Sequence, residues 1–313
     1  MCRRRIPCPM KKRYVWGGYA LFLVIMVFSD EVREGAMRGL TLWWSVLVPT
    51  LFPAFAAVGF LQSIGGSVVL SRWLAPAAEK VLGLSGSEAV VFLTGLSGGY
   101  PLGARVLAES VRTGQLSRED AERLYACCDN TGPAFAAGAL GLGVYGDSRL
   151  GWLLWGIHVA SAVITVRVYS RKRVVSQPPS VDITQESFGK ALTGAIAGAI
   201  SAILSVGGFV VFFSALPIEV LMQSLHLPTP VTSLVRGSLE LSSGIGALTA
   251  LESSPVSFAL GAWFLSFGGI CVHLQSVALT EELGIRSKKR LEGKLLQGVI
   301  SAAAAYLAGM LLF

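Results

Sequence analysis

The sequence is short of charge. Asp, Glu, Lys and Arg make up 14% of its 313 residues, against about 25% in a soluble domain. A chain so poor in charge cannot cover itself with a water-compatible surface, which excludes an ordinary soluble enzyme or binding module. Histidine is scarce, with three residues. The five cysteines show neither zinc spacing nor a disulfide framework. Cys127 and Cys128 are adjacent in apolar surroundings and are expected to pack as small hydrophobes.

Apolar residues make up 53% of the chain and its mean hydropathy is +0.62. The fold class expected is an all-α polytopic membrane protein. At roughly 20 residues per span the chain has room for roughly eight to ten membrane segments. The net charge of +7 does not point to nucleic acid, because the basic residues cluster beside apolar runs. The clusters are Arg3, Arg4, Arg5, Lys11, Lys12 and Arg13, then Arg167, Arg171, Lys172 and Arg173, then Arg286, Lys288, Lys289 and Arg290. That is the positive-inside pattern; it makes the bilayer the partner and puts the N-terminus in the cytoplasm. Val15–Phe28 follows a basic segment as in a signal peptide, but Ser29-Asp30-Glu31-Val32 offers no A-x-A site. An uncleaved first helix is expected.

Helix 1 is expected over Tyr14–Phe28, a mixed-charge loop over Asp30–Arg38, and a helix bent by Pro49 and Pro53 over Gly39–Gln62. Val68–Leu84 reads as an amphipathic interfacial helix. Glu88–Leu96 reaches only halfway across a bilayer core of about 30 Å. Ser97-Gly98-Gly99-Tyr100-Pro101 then breaks it, and Leu102–Thr113 returns, with Arg112, Arg118 and Arg123 crowding the far end. A re-entrant hairpin is expected at about 86–114. Glu119–Val144 is long enough to cross, but Cys127-Cys128-Asp129-Asn130-Thr131-Gly132-Pro133 unwinds its middle. Gly151–Tyr169 crosses back, and a polar linker occupies 174–187.

The second half, 188–313, repeats the order of the first, 39–173, behind an N-terminal segment at 1–38. Phe188–Phe213 crosses, with Gly194 and Gly198 suited to close packing. Leu216–Leu227 is interfacial. A second hairpin at about 229–254 joins Thr229–Glu240 to Ala247–Glu252 through a break at Leu241-Ser242-Ser243-Gly244-Ile245-Gly246. Val256–Leu279 is weak at Ser266-Phe267-Gly268-Gly269, and Lys294–Phe313 is the last span. One hairpin enters from each side, which makes an inverted repeat with two re-entrant hairpins and two unwound helices, the plan of many secondary transporters.

Gly95-Leu96-Ser97-Gly98-Gly99 also fits G-x-S-x-G. A nucleophile elbow needs a strand before its serine, and no alternating run lies near. A rhomboid-type intramembrane protease carries G-x-S-G with a later histidine, and His158 and His273 both follow. Gly95, Gly99 and Gly103, every fourth residue, suit a packing face. The preferred reading is a binding element rather than an enzyme, with no cofactor. Freed N–H groups and a helix N-terminus suit an anion. Carbonyls with the Ser97, Asn130 and Thr131 oxygens suit a monovalent cation instead, coupling by sodium or proton being open. The substrate-binding candidates are Ser97, Gly98, Gly99, Tyr100, Arg105, Asn130, Thr131, Arg236, Glu240, Ser242, Ser243 and Gly244. Arg105 and Arg236 are costly at depth if unpaired. Either they form internal pairs, such as Arg105 with Asp129 and Arg236 with Glu240, or they grip an anionic solute. Tyr100 could stack on a planar one.

LFPAFAAVGFL (Leu51–Leu61), GLSGGYPLGARV (Gly95–Val106), the AERL…NTGPAF segment (Ala121–Phe135) and SFGGICVHLQ (Ser266–Gln275) resemble the YlbJ family of sporulation membrane proteins, also called SpoVV. The resemblance implies a nucleoside-recognition Gate domain and the concentrative-nucleoside-transporter fold. It also implies an endospore-forming host and export of dipicolinate across the outer forespore membrane. The first tip departs from nucleoside carriers, having no carboxylate close by. A carrier of a small anion is preferred. A cation-coupled nucleoside carrier and a non-transporting scaffold stay open, as does a homo-oligomer. A carrier is expected to hold a polar cavity between the two tips; a scaffold is expected to have both arginines paired and dry.

Overall fold

The structure, a computed structural model, describes residues 12–170 and 187–313, and every regular element among them is helical. α1 spans Lys12–Val27 and, after a turn at Phe28, α2 spans Ser29–Ser63. The expected loop at Asp30–Arg38 is therefore helical. Asp30 and Glu31 sit in its first turn, where the helix dipole favours acids. Gly35 and Gly39 let it lie directly on Ser214 and Val211. Ahead of Pro49 and Pro53 the helix loosens into a π-helical stretch at Trp43–Leu47, an adjustment that absorbs the prolines' missing donors.

α3 (Gly66–Leu82) covers the segment expected as an interfacial helix, and α4 (Gly86–Gly98) leaves it at 84°. The corner has a local cause. Gly83 takes a left-handed turn at the end of α3. Ser85 and Glu88 then form a capping box, with Ser85 N–H donating to Glu88 Oε2 at 2.7 Å. α5 (Leu102–Arg112) completes the first hairpin. Gly99, at φ +82°, makes a turn there that a side chain would strain.

α6 (Arg118–Leu124) ends well short of α7 (Pro133–Leu142), so the expected unwinding falls between them. Arg123 is no loop charge. It is buried and paired with Glu88 and Asp120, tying α6 to the base of the hairpin. α8 (Ser148–Ser170) follows. Most of the expected linker, residues 174–186, lies outside the described residues.

α9 (Phe188–Ala215) packs along α2, and Trp43 Nε1 donates to Ile203 O at 2.9 Å across that contact. α10 (Ile218–Ser224) leads to the second hairpin, α11 (Thr229–Leu239) and α12 (Leu241–Leu248). Its break is at Glu240 alone. The expected break at Leu241–Gly246 is instead helical, because the Glu240 carboxylate caps the N–H groups of Ser242 and Ser243 at 3.0 and 2.7 Å. α13 (Pro255–Phe267) and α14 (Gly269–Thr280) flank the expected break at Gly268-Gly269, and α15 (Lys288–Leu312) closes the described chain.

Among the described residues five helices are long and apolar enough to cross a membrane, or six if the bent α3–α4 pair counts as one. The protein is thus an all-helical, multi-pass integral membrane protein. The count falls below the expected number because the hairpin arms, α1 and α7 are too short to span alone.

Candidate functional site

The two hairpin tips and the two helix breaks come together. Gly95 on α4 and Gly103 on α5 both rest against one carbonyl of the unwound stretch. A methyl on either would sit 1.8 or 2.0 Å from Cys128 O. The glycine face is real, but its partner is a broken helix. Cys127 and Cys128 are buried, as expected. At the tip, Gly99 lies against Gly132, and Gly98 against Leu102. Tyr100 hydroxyl donates to Leu265 O at 3.1 Å, and its ring covers Gly268. On the other side of this second break, Gly269 meets the carbonyls of Gly237 and Leu239 beside the second tip.

The junction is closed by the chain itself, and several expectations fail there. The anion at the N-terminus of α5 is Asp129, which accepts from Ala104 N–H at 3.3 Å. The anion at the N-terminus of α12 is Glu240, which also accepts from Ser243 hydroxyl at 2.8 Å. Asp129 does not pair with Arg105: Arg290 lies 3.2 Å away and Ser276 hydroxyl also donates to it. Arg236 pairs with Glu219 at 2.5 Å, not with Glu240. Ser97 is on the outer surface and its hydroxyl turns back to Thr94 O. Tyr100 is enclosed, so no face is free for a planar solute. Gly244 is packed on Gly237, where an added methyl would meet Cα at 2.1 Å.

The expected cation site is not assembled. Ser97 is elsewhere, Thr131 hydroxyl donates to Leu265 O at 2.7 Å, and Asn130 Oδ1 accepts from Lys294 Nζ at 3.1 Å and Gln297 Nε2 at 3.0 Å. Nor do Ser97 and a histidine form a dyad among the described residues. His158 is buried, with Nε2 accepting from Thr131 N–H at 3.3 Å and Nδ1 facing Ser266 hydroxyl at 2.8 Å. His273 is buried against the Phe267 ring.

Arg290, Lys294 and Gln297 are the residues that the sequence reading passed over. With Ser301 they form a buried polar stripe on α15 at helical spacing. Arg290 stands in a basic cluster that reads as a loop flank, and Lys294 at the start of the last expected span. The signal was there: polar residues three and four apart inside an apolar helix mark an inward face.

Open space lies beside the junction. A groove of about 850 Å³ runs between α2, α5 and α9, lined by Gln62, Arg105, Glu109, Arg112 and Ser201 among others. A much smaller cavity, about 10 Å³, shares Arg105, Ala202, Ser205 and Leu279 with it and reaches Pro101 at the first tip. Arg105 stands at this narrowing. Its guanidinium lies 5.4 Å from the Phe55 ring centroid, and Nη1 is buried with no hydrogen-bond partner. Gly59 and Gly198 make room for Nη2. Among the described residues no carboxylate is within ion-pair distance of it; Glu109 pairs with Arg112 at 3.7 Å. A separate cavity of about 270 Å³ adjoins the second hairpin, lined by Arg38, Glu219, Arg236, Glu240, Ser242 and Ser243. Space therefore lies beside each tip.

The chain is 28% identical to the sporulation integral membrane protein YlbJ of Bacillus subtilis (strain 168), over 91% of this chain and 79% of that protein. No protein-family profile matches the chain, nor does any solved structure. Likeness over nearly the whole length, in a chain with this all-helical membrane architecture, supports the YlbJ family of sporulation integral membrane proteins as the group it is similar to.

Proposed function

We propose that the protein carries a small organic anion across a sporulation membrane, with dipicolinate the solute that its chemistry and the family resemblance favour. One observation supports this most: Arg105, unpaired by any carboxylate among the described residues, at the foot of a polar groove that narrows toward the first tip. Arg105 is half-buried, with one buried guanidinium nitrogen unpartnered, and a carboxylate is the ligand that satisfies a guanidinium bidentately. A planar dicarboxylate has one group for Arg105 and a second for Arg112, which lines the same groove and would exchange its 3.7 Å pairing with Glu109 for the solute. In this reading the two halves are inverted repeats, the groove opens to the cytoplasm, and the hairpins gate the path. A nucleoside fits the site less well, since the acids near the tips, Asp129 and Glu240, are already spent on helix N-termini. A scaffold reading draws support only from Arg236, which is ion-paired.

Equilibrium binding of dipicolinate to the purified protein tests this reading. Arg105→Ala removes no partner from a carboxylate, so it is expected to fold. It should weaken binding by about 1.5–3 kcal/mol, tenfold or more, the worth of a hydrogen bond to a charged group. Unchanged binding in Arg105→Ala would place the solute elsewhere, and no binding by wild type would count against an autonomous carrier.

A further inference from the structure

Lys294 is fully enclosed, one turn along α15 from Arg290. The carboxylate of this cluster, Asp129, is held by Arg290, and no ion pair to Lys294 exists among the described residues. Its ligands are neutral. Nζ donates to Asn130 Oδ1 at 3.1 Å and to Gln297 Oε1 at 2.7 Å, and it lies 5.3 Å from the centroid of the Tyr100 ring. The amides are fixed in that sense, since Asn130 Nδ2 donates to Cys127 O at 2.8 Å and Gln297 Nε2 donates to Asn130 Oδ1 at 3.0 Å.

Amide oxygens from an unwound stretch, with an aromatic face beside them, are the surroundings a free monovalent cation takes in a membrane protein. Here the charge arrives on a lysine stem. Without it, Gln297 Oε1 would lose its donor inside the protein, and Asn130 Oδ1 would keep only Gln297 Nε2. Three parts of the junction share this one ammonium: the first tip through Tyr100, the broken helix through Asn130, and α15.

We propose that the Lys294 ammonium is a tethered cation, occupying the place where a carrier of this layout would bind a coupling ion, so that sodium and potassium take no part. The coupling half of this inference rests on the carrier reading; the claim about the site does not. A tethered charge cannot leave as a metal ion does, so flux needs no sodium or potassium gradient.

The test is melting temperature in sodium, potassium or choline chloride at equal ionic strength, for wild type, Lys294→Ala and Lys294→Met. Wild type should melt alike in all three salts. Lys294→Ala should melt several degrees lower in choline and recover when sodium or potassium enters the vacated space. Lys294→Met, which fills that space without charge, should be low in every salt. Saturable stabilisation of wild type by sodium or potassium overturns the proposal, and needs no variant to fold. So does a Lys294→Ala that matches wild type in choline, or whose loss no cation repairs. Melting does not depend on transport, so a protein that fails to move dipicolinate would leave this result standing and sink only the carrier reading.

Discussion

Asp129 and Arg290 show how a single residue can change role between sequence and structure. Asp129 stands out in the sequence as an acid in an unwound helix, and that much is legible. Its partner is not, because Arg290 sits 161 positions away in a basic cluster that reads as a cytoplasmic flank. Both are almost fully buried and lie 3.2 Å apart. Replacing one member of such a pair leaves the other charge stranded. Asp129→Asn should therefore cost about 3–5 kcal/mol in unfolding measured in detergent, with Asp129→Asn/Arg290→Met losing less than the two single changes together. Ser97 marks the opposite case. Its motif is conspicuous, yet the side chain is on the surface and bonded within its own helix. Ser97→Ala should leave stability within about 0.5 kcal/mol of wild type and leave dipicolinate binding unchanged. A large loss of binding would return that residue to the site.

At the scale of elements, local chemistry predicted most of what formed. The tip at Gly99-Tyr100-Pro101, the unwinding ahead of Pro133 and the break at Gly268-Gly269 follow from residues that cannot continue a helix. The second hairpin misled because its serines and glycines look like breakers. Glu240 makes them a helix start instead, and Gly244 is there to let α12 touch α11. The loop expected at Asp30–Arg38 failed for a related reason: charge spaced along a helix facing a neighbour resembles charge in a loop until the neighbour is known. Close approach yields the sharpest prediction at this scale. Gly95→Ala and Gly103→Ala each drive a methyl into Cys128 O, a backbone atom that cannot swing aside. Each should lower stability by about 1–3 kcal/mol by the cost of overpacking, read as a lower melting temperature. Gly138→Ala, with nothing within 4 Å of its added methyl, is the matched control.

For the whole molecule, the order of elements was legible, but the position of its open space was not. Hydropathy and breakers give a list of helices and half-helices. They do not say that Tyr100 at the first tip would seal against the second break, or that α2 and α9 would leave a groove leading to Arg105. Those depend on contacts between residues more than a hundred positions apart. The central claim is that this groove is the path of an anionic solute. The measurement that tests it most directly is dipicolinate flux through wild-type protein in liposomes, beside Arg105→Ala and Arg236→Ala. The account predicts flux in wild type, its loss in Arg105→Ala with the protein still folded, and a smaller effect in Arg236→Ala, whose charge is already matched by Glu219. Full flux in Arg105→Ala, or none from well-folded wild type, would contradict it.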